Sequence, residues 1–133
     1  MITKKDKQLA EKEIMRLIEK YSPILLLDHI VFRSHYGLEN ANSLAESVFR
    51  YPYLDATINY GDELIGMVKS KKDITNYVIH EMCHTITEPL YSKSISRYVS
   101  PGEITDEMER LTDHIANIIF KPIDDNRKVA KTK

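Results

Sequence analysis

One cysteine, almost no net charge and no long apolar run define this chain first by what they exclude. Cys83 stands alone, so no internal disulfide can form, zinc modules built from CxxC pairs are ruled out, and a reducing compartment is the natural setting. Nineteen Lys and Arg against twenty Asp and Glu leave a net charge of −1, which provides no global attraction to nucleic acid or to an anionic membrane. No apolar stretch approaches the ~20 residues that a membrane helix requires. The opening residues, MITKKDKQLAEKE, lack the apolar centre of a signal peptide. The expected location is the cytoplasm. What is present is ordinary for a soluble globular protein: 42% apolar and 29% charged residues over 133 positions, enough for one domain with a modest core.

The periodicities predict an α+β order. From Lys4 to Tyr21, the side chains Ala10, Ile14, Leu17, Ile18 and Tyr21 share a helix face, with Thr3 and Asp6 as its cap pair and Ser22-Pro23 as its end. ILLLDHIVFRSH reads as a strand near residues 26–34 and YGLENANS as a turn. Two more strands are expected at Leu44 to Arg50 and Leu54 to Tyr60, separated by Pro52, which favours a bend or a sheet edge. DELIGMV predicts a short turn or helix, and Asp73 caps the helix that follows. Pro89 is expected to stop that helix, with a further short helix in LYSKSISRYV. After the Pro101-Gly102 break, a last helix is expected from Glu103 to Phe120. Its core stripe would be Ile104, Met108, Leu111, Ile115 and Ile119, and Pro122 would end it. Residues 123–133 read as a charged, disordered tail on a domain spanning 1–122.

Within the Asp73 helix lies YVIHEMCH, residues 77–84. A glutamate and two histidines in an otherwise uncharged run have no packing rationale. His80 and His84, four apart, project from one side of a helix, so both imidazoles can reach a single zinc ion at ~2 Å. Glu81, on the adjacent edge, is placed to act as general base on water that the metal activates. Cys83, by contrast, turns away from that side and reads as a small core residue.

A catalytic zinc takes a third protein ligand, and EITDEMERLTDH on the last helix offers carboxylates. Glu103, Asp106 and Glu107 suit the helix dipole. Glu109 and Asp113, four apart beside the apolar stripe, are better candidates: Glu109 as ligand and Asp113 accepting the free N–H of a ligand histidine, most simply His80. The swapped assignment, with Asp113 as ligand, remains open.

HEMCH followed by ERLTD, that is HExxH then ExxxD, resembles the gluzincin zinc metallopeptidases, and most closely the compact minigluzincins and ImmA/IrrE-type peptidases of phages and bacteria. The resemblance covers residues 77–88 and 109–120. It implies one zinc, peptide hydrolysis, and a zincin-like core in which a small twisted sheet lies beside the active-site helix. It also implies a protein or peptide substrate paired along the edge strand, expected at Leu54–Tyr60. Cys83 stands where the ImmA/IrrE type more often has glycine. The histidine that steadies the oxyanion in larger gluzincins has no evident counterpart. Tyr91 is the first candidate for that role, with Tyr98, Arg97 and His114 behind it.

Three functions are compatible with these residues. The first is a zinc peptidase acting on a restricted protein substrate. The second is a catalytically silent zinc-binding module on the same fold, which an intact Glu81 disfavours. The third is a nucleic-acid-associated protein with structural zinc, which the lack of a concentrated basic face disfavours.

Overall fold

A computed structural model describes residues 1–50, 53–96 and 98–132, without the side chains of residues 123, 124, 127 and 129–132. Four helices and three strands follow in the order α1 Lys4–Tyr21, β1 Val31–Tyr36, β2 Ala45–Arg50, β3 Asp55–Tyr60, α2 Asp62–Lys69, α3 Thr75–Ser94 and α4 Pro101–Thr132. This is an α+β domain, as the periodicities predict, and its sheet is mixed. No helix is long and apolar enough to cross a membrane among the described residues.

α1 begins with a capping box, Thr3 and Asp6 each accepting the other's backbone N–H, and it buries Ala10, Ile14, Leu17 and Ile18. The strand expected from residue 26 starts only at Val31. The intervening chain is a run of turns, closed by Leu25 N–H to Tyr21 O and Leu27 N–H to Ser22 O, with Leu26 in the left-handed region at φ 56°. An apolar run can serve the core from a turn as well as from a strand, and here the end of α1 dictates which.

The sheet order is β1-β3-β2, with β3 parallel to β1 and antiparallel to β2. LDATINY, expected at the edge, is therefore the central strand. Its alternation was legible, but period two is the same at the centre and at the rim of a sheet. Ala56, Ile58 and Tyr60 are fully buried on the face that meets α1 and α3. Across the ladder β2 places Ala45, Ser47 and Phe49 beside Tyr60, Ile58 and Ala56. β2 is the edge strand nearest α3. Pro52, expected to bend the chain before β3, lies outside the described residues.

Neither proline breaks its helix. α3 continues through Pro89 to Ser94, and α4 through Pro122 to Thr132, where an end and a disordered tail were expected. At Pro89, the Arg110 guanidinium on α4 donates to the Ile86 carbonyl at 3.3 Å, next to the Thr85 carbonyl that a proline nitrogen cannot serve. Glu107, buried at 6% exposure, pairs with Arg110 and lies 3.8 Å from Lys93 of α3. The two helices are joined on both sides of the proline.

The core beneath α3 holds Val78, Met82 and Ile86 with Ile14, Leu17, Ile58 and Ile65. Met82 is fully buried opposite the side that carries His80 and His84. Met82→Ala should destabilise the fold by about 2–5 kcal/mol in urea titration. A smaller loss would show that α3 is not anchored through this residue.

Candidate metal centre

α3 is held at its entry by Asp73, whose Oδ1 accepts the backbone N–H of Thr75 at 2.9 Å and its hydroxyl at 2.5 Å. From there the 3.6-residue repeat sorts the side chains. Val78, Met82, Thr85, Ile86 and Pro89 turn inward, while Tyr77, His80, His84 and Glu88 border an open cleft of about 940 Å³ between α3 and β2. Glu81 falls between the two sets and is buried while still lining that cleft.

The His80 and His84 rings lie 4.9 Å apart, nearly perpendicular at 83°. His80 Nε2 is 4.0 Å from Glu81 Oε1. One ligand atom from each of His80, Glu81 and His84 lies within 4.8 Å of the others, the one such group among the described residues able to hold a metal ion. Burial pushes the Glu81 carboxyl above its usual range, against the pull of His84 and His80 and with a further push from Glu46.

Two imidazoles and a carboxylate form a donor set suited to zinc and related transition metals. Ser47 Oγ, on the β2 wall, is buried and has no hydrogen-bond partner among the described residues. The other two cleft carboxylates have neighbours of their own. Glu46 accepts the backbone N–H groups of Glu39 at 2.9 Å and Asn40 at 2.5 Å, and Glu88 accepts the Ser92 hydroxyl at 3.3 Å.

No described side chain of the last helix borders this cleft. Glu109 and Asp113, assigned from the sequence to the metal and to a ligand histidine, are both exposed and belong to neither the cleft nor the metal-binding group. The cause is rotational. α4 faces the rest of the protein with Glu107, Leu111, His114 and Ile118, and position 109 lies roughly 200° round the helix from position 107. The expected stripe was set by apolarity alone, yet Met108, Ile115 and Ile119 are 48%, 46% and 62% exposed. The facing side carries the buried, ion-paired Glu107 together with Leu111 and Ile118 instead.

The oxyanion candidates are likewise elsewhere. Tyr91 is 59% and Tyr98 94% exposed, and neither borders the cleft. His114 Nε2 sits 2.9 Å from the Leu25 carbonyl, and Arg97 lies outside the described residues. Tyr77 does border the cleft. Its signal was in the sequence, three residues before His80 and so on the same helix side. Glu88, four after His84, carried the same signal. Ser47 and Phe49, brought in by β2, carried none. Cys83 is half-buried against the core, and burial raises its thiol pKa.

Comparison with protein-family models, with curated proteins and with solved structures finds no match in any of the three.

The Glu81 environment has a pH signature in metal-free protein. In the unfolded chain this carboxyl ionises near 4.5, whereas the folded protein holds its proton to higher pH. The folded state therefore binds more protons in that window, and stability falls as pH rises from about 4.5 through the folded pKa, then levels. Glu81→Gln lacks this fall. Urea midpoints measured from about pH 4 to 8 should diverge in favour of the glutamine variant as pH rises. Parallel curves would show that burial does not govern this carboxyl.

Proposed function

We propose that the protein is a zinc-dependent peptidase whose centre is His80, Glu81 and His84. The observation that carries this reading is the gathering of these three side chains at the mouth of a cleft walled by an edge strand. His80 and His84 hold the metal through ring nitrogens exposed to the cleft. When bound, zinc supplies Lewis acidity toward water and toward a peptide carbonyl. Glu81 acts as general base. Burial raises its carboxyl above the ordinary range, which favours its accepting a proton from water and passing it to the leaving amine. The substrate is a protein or peptide segment in extended form. It adds to the free edge of β2 by backbone hydrogen bonds, which brings its carbonyls past the two histidines. The edge expected at β3 is thereby replaced by β2. The cytoplasmic setting inferred from the lone cysteine belongs to the same proposal.

One observation favours a second reading, a catalytically silent zinc-binding module. Among the described residues no carboxylate of α4 borders the cleft, so with Glu81 as base the protein ligands there are fewer than the three that a catalytic zinc ordinarily takes.

Zinc content and cleavage separate the readings. Elemental analysis of the wild type should give one zinc per chain. His80→Ala or His84→Ala should cut this to roughly a tenth or less, and Glu109→Ala should leave it unchanged. On a flexible peptide library, Glu81→Gln should retain zinc and lose cleavage by about 10²-fold or more. Zinc without cleavage in the wild type would support the silent module. Wild type without zinc would overturn both.

A further inference from the structure

The sheet has a second face, opposite the one that buries Ala56, Ile58 and Tyr60. Alternation puts Arg33 and His35 of β1, Thr57 and Asn59 of β3, and Glu46 and Val48 of β2 on it. Val31 and Val48, which share this face, are 56% and 42% exposed, so it is open to solvent. It holds a shallow cavity of about 440 Å³ bordered by Arg33, Ser34, His35, Val48, Thr57 and Asn59.

Asn59 is the exception on this open face. On the central strand, between His35 and Glu46, it is only 8% exposed. Its side-chain amide has no hydrogen-bond partner among the described residues. A polar sheet face is routinely solvated, but an amide this buried is ordinarily paired. The side chains of Arg33, His35 and Thr57 are likewise without a hydrogen bond or ion pair among the described residues. The other charges of the face are engaged. Arg50 lies 3.6 Å from Asp55, and Glu46 accepts the backbone N–H groups of Glu39 and Asn40. What remains is a guanidinium without a counter-ion, an amide, a hydroxyl and an imidazole on two adjacent strands.

We propose that this cavity binds a phosphate group carried by a small molecule, with Arg33, Thr57 and Asn59 as donors and His35 at the rim. Arg33 pairs with Thr57 and His35 with Asn59 in the ladder. The four therefore form a patch about 5 Å across and about 7 Å along the strands, within reach of one tetrahedral ion. The guanidinium fork matches phosphate oxygens, and a tetrahedral group can use donors from several directions where a carboxylate offers two oxygens in one plane. Asn59, at the floor, gives a donor largely removed from competing water. None of the four borders the cleft between α3 and β2, so this binding is independent of the metal reading.

Two-dimensional amide NMR on the full chain, titrated with inorganic phosphate at constant low ionic strength, tests the assignment. Signals of Arg33, His35, Thr57 and Asn59, including the Asn59 side-chain amide, should shift saturably with a Kd on the order of 1 mM. Acetate should bind at least about tenfold more weakly. Arg33→Gln, at an exposed position that does not threaten folding, should weaken phosphate binding at least about tenfold. Asn59→Leu should weaken it as much and raise the urea midpoint, because it removes a buried amide that lacks a partner. Shifts confined to His80 and His84, shifts that never saturate, or acetate matching phosphate overturn the proposal. So does phosphate binding unchanged in Arg33→Gln and Asn59→Leu, or a lowered midpoint in Asn59→Leu, which would make the amide structural.

Discussion

The packing of α3 against β3 and α1 is the constraint on which the cleft depends. One helix has to be core on one side and reactive surface on the other. Val78, Met82 and Ile86 press into a close-packed interior with Ile14, Leu17 and Ile58, and that interior tolerates little rotation because a turn of the helix would expose them and bury the histidines. The orientation of His80 and His84 toward β2 is therefore a by-product of apolar burial. Glu81 sits on the boundary, near enough to the interior to lose hydration and near enough to the cleft to meet the imidazoles. A buried carboxylate is costly in most helices, and here that cost coincides with the position where a raised carboxyl pKa would be useful.

The second helix of the pair is governed by charge. Glu107 is nearly inaccessible on the side that α4 presents to α3, where a carboxylate left unpaired would be costly. Lys93 and Arg110 answer it. The consequence is an apolar stripe rotated partly into solvent and a pair of acids, Glu109 and Asp113, turned away from the cleft. Arg110 also reaches the backbone of α3 close to Pro89, donating to the Ile86 carbonyl.

Much of the architecture was legible residue by residue. The Thr3–Asp6 box, the α1 stripe and the alternation in LDATINY reflect local chemistry with a fixed period, and local chemistry does not depend on distant chain. Strand boundaries were less legible: Ile24, Leu25, Leu26, Leu27 and Ile30 are apolar whether they lie in a strand or in turns, and the choice falls to the way α1 ends. The edge and centre of the sheet were not legible at all, since β3 pairs with β1 across the intervening β2, a non-local pairing that strand periodicity does not encode.

For the site, the sequence by itself determined His80, Glu81 and His84, because four-residue spacing on one helix is enough to bring the imidazoles together and the adjacent glutamate must follow. It also determined Tyr77 and Glu88 by the same spacing, though neither was singled out. Only the tertiary structure decided what lies across the cleft: Ser47 and Phe49 from an edge strand, and no carboxylate from α4. A helix carries its own side chains in a known order, but which side it turns toward a neighbour depends on what must be buried there. On α4 that was Glu107.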